Sequence, residues 1–191
     1  VTSANVDPTG EPDEHLVAAL VHDLDAGFIQ LFETYRHVVF ATMLKICGRW
    51  ADAEDLTAES FLRAYRALSG YRRSRILLLR PRSWLLTIAV NLCRNQQRDA
   101  GRRPPCESLD DAPQPDLPDA DTDVEGVVTR RETDRELTDL LATLPDEQRV
   151  AIVLRHVHDL PVAEIADALG RPAGTVKSDI SRGLRRLRDL Y

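Results

Sequence analysis

The sequence is short of the residues that usually announce chemistry. Its three cysteines, Cys47, Cys93 and Cys106, are odd in number and stand in no CxxC spacing. That argues against a disulfide framework and a zinc site, and the thiols read as reduced. Aromatic residues make up only 5% of the chain, and there are 9 glycines in 191 residues. With Leu, Ala and Val supplying most of the apolar content, helices are favoured over sheet. The most apolar run, ILLLRPRSWLLTIAVNLC, is interrupted by Arg80, Pro81 and Arg82 and is too short to span a bilayer. The opening stretch VTSANVDPTGEPDEH is polar and acidic, without the basic start, apolar middle and small-residue cleavage site of a leader. Neither export nor membrane insertion is expected, and the expected localisation is cytoplasmic.

What the chain does have is segregated charge. Its net charge of −6 looks wrong for a nucleic-acid binder, but the average conceals opposed blocks. Residues 1–62 carry 3 basic and 11 acidic groups, whereas residues 63–105 carry 11 basic groups and one acidic. The stretch 106–126, CESLDDAPQPDLPDADTDVEG, has 8 acidic groups, no basic ones and the helix-unfriendly Pro113, Pro115, Pro118 and Gly126. Such a stretch neither buries apolar surface nor holds a helix, so it reads as a flexible acidic linker. Residues 166–191 return to positive, with 6 basic and 3 acidic groups. Both basic zones suit a polyanion. The expected layout is a disordered acidic tail at 1–14, a helical module at 15–105, the linker at 106–131 and a second helical module at 132–191.

In the second module, RRETDRELTDLLATL, PDEQRVAIVLRHVHDL and PVAEIADALG have helical periodicity, with Pro145 and Pro161 placed to begin helices. Gly170 can end the third, RPAG is a turn, and Thr175 is a reasonable N-cap for the last helix. Val176, Ile180, Leu184 and Leu187 then make one apolar stripe. Lys177, Ser178, Ser181, Arg182 and Arg185 face out. This is the spacing of a helix-turn-helix, whose second helix presents its first turns to base edges. Lys177, Ser178, Ser181 and Arg182 are candidates for base-edge or adjacent phosphate contacts, and Arg171, Arg185, Arg186 and Arg188 for phosphate. Asp179 is awkward there, since it repels phosphate. It could accept from a cytosine, pair with Arg182 or Arg186, or simply suit the helix N-terminus.

In the first module, FIQLFETYRHVVFATMLKIC reads as a long helix with a buried face. In WADAEDLTAESFLRAYRALSGY, the residues Ala53, Leu56, Thr57, Ser60, Phe61, Ala64, Tyr65 and Leu68 share one face, and Asp52, Glu54, Asp55 and Glu59 lie opposite. The acidic groups suit a helix N-terminus, and they also suit a basic protein partner. SWLLTIAVNLCRNQQR is expected to start at Ser83 as N-cap. Leu85, Ile88, Ala89 and Leu92 turn inward, while Trp84, Thr87, Asn91, Arg94, Asn95 and Arg98 line the other face. An amide-rich basic stripe with one aromatic can hold single-stranded or distorted DNA, although a core role is expected for Trp84 itself.

The order of these parts, DAEDLTAESFLRAYRAL, a basic loop, SWLLTIAVNLCRNQQR, a linker and LPDEQRVAIVLRHVHDLPVAEIADALGRPAGTVKSDISRGLRRLRDL, closely resembles the RNA polymerase sigma factors of the extracytoplasmic function (ECF) class. The resemblance covers about 26–105 and 132–190. It implies an all-α protein of two small helical domains, sigma region 2 and a helix-turn-helix region 4. Region 2 would dock on the clamp helices of core RNA polymerase through Asp52, Glu54, Asp55, Leu56, Glu59 and Phe61, with Leu56 and Phe61 alternatively only core. The loop after Tyr71, with Arg72, Arg73 and Arg75, and the helix with Trp84, Asn91, Arg94, Asn95 and Arg98, would engage the −10 element, Asn91 standing where an extruded base is read. Region 4, reaching the polymerase's beta flap, would place Arg171, Thr175, Lys177, Ser178, Ser181, Arg182, Arg185 and Arg186 at the −35 element. Family members are often held by an anti-sigma factor. Two departures stand out: the loop YRRSRILLLRPRSW is long and contains ILLL, and Asp179 stands where a basic or neutral residue is common.

A free-standing helix-turn-helix regulator of LuxR type shares the C-terminal pattern but needs a sensory or receiver domain, and residues 1–105 show no strand alternation. An enzyme is disfavoured. HVHD places His156 and His158 on different faces of a helix with no further ligand cluster near, so both are expected on the helix surface and no metal or cofactor is implied. The linker is expected to thread the polymerase cleft as a nucleic-acid mimic. Neutralising Asp110, Asp111, Asp116, Asp119, Asp121 and Asp123 should then weaken holoenzyme assembly or alter abortive initiation, and no change in either measurement rejects that role.

Overall fold

The computed structural model describes residues 11–100 and 135–190. The first module comprises α1 (Glu11–His22), α2 (Leu24–Cys47), α3 (Trp50–Ser69), the single turn α4 (Arg73–Ile76) and α5 (Pro81–Ala100). The second comprises α6 (described over 135–142), α7 (Asp146–Ile152) with a π-helical turn Val153–Val157, α8 (Val162–Leu169) and α9 (Ala173–Asp189). Among the described residues there is no strand, as the leucine-rich, aromatic-poor composition predicts. The linker expected at 106–131 and residues 1–10 of the expected tail lie outside the described residues.

Helix α2 starts where Asp23 Oδ1 accepts from the backbone N–H groups of Asp25 and Ala26 at 2.9 and 3.1 Å, satisfying two orphan donors of its first turn. It ends at Gly48, which takes the left-handed conformation at φ 74°. Leu31, Tyr35, Val39, Met43 and Ile46 point inward. They meet the buried face of α3, where Ala53, Leu56, Ser60, Phe61, Ala64 and Leu68 are buried as their spacing predicts. Residues 11–14, expected in the tail, are helical. Leu16, Val17 and Leu20 are buried on α2, and the Tyr35 hydroxyl donates to the Asp13 carboxylate. A Cβ on Gly27 would stand 2.5 Å from the Leu20 nitrogen, so the α1–α2 crossing requires glycine.

Two helix starts differ from expectation for one reason. Helix α5 begins at Pro81 rather than at a Ser83 cap, and α9 begins after Pro172 rather than at Thr175. Proline has no N–H to leave unsatisfied and a preset φ, so it opens a helix without a side-chain cap. Pro145 and Pro161 occupy N-cap positions, and Gly170 closes α8 at φ 60°. Helix α5 is buried more widely than one amphipathic face: Leu86, Val90 and Cys93 join Leu85, Ala89 and Leu92 in the core. The cause is its position, with α2 and α3 on one side and α8 on another.

The two modules are packed together, and their buried side chains form one contiguous cluster running from Leu16 to Ile180. Arg149 anchors the seam. Its guanidinium donates to the carbonyls of Leu141, Ala142 and Leu144 at 2.9, 3.1 and 2.9 Å, and to that of Ile46 at 2.6 Å. It therefore caps the ends of α6 and α2 at once.

His158, expected on the helix surface, is instead buried at 6% exposure, whereas His156 is exposed. The π-helical turn and the left-handed Asp159, φ 54°, end the helix just where His158 turns into the seam. The Thr42 hydroxyl gives its proton to the Val38 carbonyl at 2.6 Å, so it accepts from His158 Nε2–H at 2.7 Å. His158 Nδ1 then accepts from Arg82 at 3.2 Å, which requires the neutral ring.

Burial first, then the charges of Arg82 and Lys45, pull the His158 pKa from 6.5 to about 4, against a weaker pull from Asp159. The folded pKa lies below the unfolded one, so the native state binds fewer protons. Its contribution is complete above about pH 6.5 and lost as pH falls toward 4. At pH 5 the loss should be about 2 kcal/mol. Denaturant titrations of the native chain and of His158→Asn at pH 7.5 and pH 5 should show this extra acid sensitivity only in the native chain.

Candidate functional site

The chemistry-bearing residues fall on three surfaces, each set by a helix face. The first is the ridge of α2 and α3. Glu54 and Asp55 are exposed, Asp52 is half-buried and pairs with Arg49 at 3.4 Å, and Glu59 pairs with Arg63 at 2.7 Å. Leu56 and Phe61, grouped with them in the sequence, are buried at 5% and 4%. They lie beneath the ridge as part of the core.

The surface has an apolar half that the sequence reading missed. Ile29, Phe32, Leu62 and Tyr65 are large side chains left exposed, and Phe28, Ile29, Phe32, Glu33 and Arg36 line a shallow cleft of about 540 Å³. Tyr65, assigned to the inward face, instead reaches out and donates to Asp25 at 2.7 Å. Phe28 packs edge-on against it, with ring centroids 5.0 Å apart. A recoverable signal existed, because Ile29 and Phe32 fall off the inward register of Leu31, Tyr35 and Val39. An apolar patch beside carboxylates is how a protein-binding surface is built.

The second surface is α4, its loop and the outer side of α5. Arg72, Arg73 and Arg75 are exposed, and the Arg75 guanidinium lies 3.9 Å over the Tyr71 ring. In the ILLL run Ile76 is buried, whereas Leu77 and Leu78 project into solvent. Trp84, for which a core role was expected, is only half-buried, tilted against Tyr71 with centroids 6.1 Å apart. Asn91 is half-buried, and Asn95 and Arg98 are exposed. Arg94 differs from its neighbours. It donates to the Leu169 carbonyl at 2.8 Å and pairs with Glu147 at 3.3 Å, both in the second module.

The third surface is α9. Val176 and Ile180 are buried, with Leu184 and Leu187 partly so, as the stripe predicts. Gly183 lets α9 lie close on α7, since a Cβ there would stand 2.5 Å from Ile152 Cδ1. Lys177, Ser178, Ser181, Arg182, Arg185 and Arg186 are exposed on the opposite side, with Thr175 half-buried among them. Ser178 Oγ donates back to the Gly174 carbonyl at 2.9 Å.

Asp179 is neither a DNA-facing group nor a simple helix-dipole charge. It is 4% exposed and stands 2.9 Å from both Arg171 and Arg182, while Arg171 also reaches Glu147 at 2.7 Å. Arg171, expected on phosphate, is thereby enclosed in a network that ties α7, the turn and α9 together. Breaking a buried pair leaves an uncompensated charge, and the partly exposed arginines moderate that cost. Asp179→Ala should destabilise the second module by about 2 kcal/mol, read as a lower denaturant midpoint. A midpoint matching the native chain's would remove Asp179 from the turn's framework.

Among the described residues, no helix is long and apolar enough to cross a membrane, and no cluster of three or more His, Cys, Asp or Glu could hold a metal ion. Cys47 and Cys93 are free thiols, and burial pushes Cys93 up to about 12.

Against known proteins, the model of Sigma-70 region 2 matches residues 31–103 and that of Sigma-70 region 4 matches residues 134–187. The chain is 32% identical to the ECF RNA polymerase sigma-E factor of Haemophilus influenzae, covering 89% of this chain and 90% of that one. It is 30% identical to the RNA polymerase sigma-H factor of Pseudomonas aeruginosa, covering 91% of each. Two solved structures share the fold. CnrH in complex with the cytosolic domain of CnrY has a TM-score of 0.62 at 23% identity, covering 93% of this chain and 96% of that one. The sigma factor RpoE of Bartonella quintana, in complex with the anti-sigma factor NepR, has a TM-score of 0.64 at 24% identity, covering 85% and 95%. With both regions present in order on two helical modules, the chain belongs to the ECF class of RNA polymerase sigma factors, non-enzymatic proteins that direct the polymerase to promoters.

Proposed function

We propose that this sigma factor meets core RNA polymerase through the α2–α3 ridge and promoter DNA through α5 and α9. The observation that carries the reading is the face division of α9. Its apolar stripe is seated on the module, and six polar or basic side chains from Lys177 to Arg186 stand on the open side. A helix so presented fits the major groove, where Lys177, Ser178, Ser181 and Arg182 reach base edges and Arg185 and Arg186 reach phosphates of the −35 element. Arg182 leaves or shares its contact with Asp179 to do so.

On the first module, Glu54, Asp55 and Glu59 offer charge to the clamp helices, and Ile29, Phe32, Leu62 and Tyr65 offer apolar area to bury beside it. The −10 element takes the second surface. Arg72, Arg73 and Arg75 attract backbone, and Asn91 with Trp84 receives the opened strand, whose unpairing is offset by those contacts. The beta flap is the proposed partner of the second module, and the site of action is the cytoplasm. An anti-sigma factor is the proposed regulator, on the strength of a relative in fold whose structure is a complex with one.

Transcription in vitro on a pool of promoter fragments, with core polymerase and with or without this protein at stated salt, tests the reading. Transcripts from start sites that share two spaced elements are expected. Arg185→Ala with Arg186→Ala should weaken −35 binding about equally across sequences and lower the salt slope by about two. A protein that binds duplex DNA alone and never directs core polymerase would contradict the proposal and favour a free-standing regulator.

A further inference from the structure

Arg72, Arg73 and Arg75, the arginines offered to the −10 strand, stand on a loop with little framework of its own. Its backbone closes only short turns: the N–H groups of Arg75 and Ile76 donate to the Arg72 carbonyl at 2.8 and 3.3 Å, and that of Leu79 to the Ile76 carbonyl at 3.0 Å. Leu77 and Leu78 project into solvent, so Ile76, 6% exposed, is the apolar anchor of α4. Among the described helices α1 packs most extensively on α4. Asp13, Glu14 and Val17 of α1 also share a cleft of about 880 Å³ with Leu79, Arg80 and Arg82, where the loop returns into α5.

We propose that α1 is a positioning element for promoter opening: it seats the α4 loop so that Arg72, Arg73 and Arg75 meet the opened −10 strand as a set. The inference rests on reading this loop as part of the −10 surface. Three features make α1 a rigid seat. Leu16 and Leu20, 4% and 2% exposed, bury it on α2. Gly27 lets the two helices approach to where no Cβ fits. The Tyr35 hydroxyl of α2 pins the first turn of α1 by donating to the Asp13 carboxylate. Burial first, and then that contact, raise the Tyr35 pKa above its ordinary range against an opposing pull from Arg82, so the hydroxyl keeps the proton it donates.

The same helix sorts the loop's charges. Arg80 and Arg82 line the cleft with the α1 carboxylates and reach Glu164 and His158. Arg72, Arg73 and Arg75 stay exposed, with the Arg75 guanidinium laid over the Tyr71 ring. The base of the loop is thus balanced by acidic neighbours, while its tip keeps three positive charges. A single helical turn does not hold its shape alone in water, because fixing its residues costs more entropy than one hydrogen bond returns. Packing on α1 meets that cost before DNA arrives, and the strand finds guanidiniums already in order. Loosening α1 leaves the charge of the loop unchanged but makes each opening event order it afresh.

The test uses the full-length chain assembled with core polymerase, on a promoter fragment recovered by the transcription assay. The fragment carries 2-aminopurine in its non-template −10 strand, whose fluorescence rises as the bases unstack. Tyr35→Phe removes the pinning hydroxyl, Val17→Ala thins the seat, and Asp13→Asn keeps an acceptor oxygen for Tyr35. The first two should each slow opening about three- to tenfold with affinity for core polymerase unchanged, and Asp13→Asn should stay within about twofold of the native rate. The loop variant Arg72→Ala, Arg73→Ala, Arg75→Ala should itself open slowly. Adding Tyr35→Phe or Val17→Ala to it should slow opening no further, because α1 acts through those side chains. An equal further loss in that background, or a matching loss of affinity for core polymerase, makes α1 a general support of the module and overturns the positioning role. Native opening in both α1 variants, with the loop variant slow, overturns it while leaving the −10 reading intact. A loop variant that opens at the native rate removes the −10 reading and the proposal with it.

Discussion

Much of this molecule depends on one guanidinium. Helix ends leave backbone carbonyls without partners, and two such ends, those of α6 and α2, meet where the modules join. Arg149, 11% exposed in its side chain, supplies donors to four of these carbonyls. Three of the contacts fix α6 against α7 inside the second module, and the fourth, to Ile46, reaches across to the first. An apolar residue at this position could fill the space but would take the donor from the part-buried carbonyls of Ile46 and Leu144, at about 1–3 kcal/mol each, whereas that of Leu141 keeps the Leu144 N–H. The hydrogen bonds of His158 and Arg94 then act on surfaces that Arg149 has already brought together.

The same economy explains how an acidic chain handles DNA. Its carboxylates are not spread as a uniform repulsive field. Some hold arginines in position, as Asp179 and Glu147 do around Arg171, and others, Glu54 and Asp55 among them, stand exposed on α3. What faces outward on α9 from Lys177 to Arg186 is basic or neutral. Local arrangement, not net charge, governs the electrostatics that a nearby phosphate meets, because beyond about 8 Å exposed charges are largely screened at physiological salt.

The sequence was most readable where a physical rule acts over short range. Helical periodicity marked the buried faces of α2, α3 and α9, and Gly170 marked the end of α8. The order of two such modules was enough to recognise the family. Boundaries at Pro81 and Pro172 were misplaced by two or three residues because a hydroxyl cap was sought where proline needs none. Tertiary placement was the larger gap. The contact of α5 with α8, the burial of His158 against Thr42 and the reach of Arg149 to the Ile46 carbonyl all arise from packing between segments more than 50 residues apart. No periodicity within one helix encodes such packing. Asp179 was half-legible: Arg182 was anticipated as a partner, and Arg171, across the turn, was not. The exposed Ile29 and Phe32 were present as a register mismatch that only becomes meaningful once the inward row of α2 is fixed.

Small-angle scattering of the wild-type chain without polymerase tests the closed seam most directly. Packed modules predict a radius of gyration of about 16–19 Å, near the value for a single compact chain of this length. A radius above about 25 Å, as for two modules held apart by a 34-residue coil, would contradict the docked arrangement.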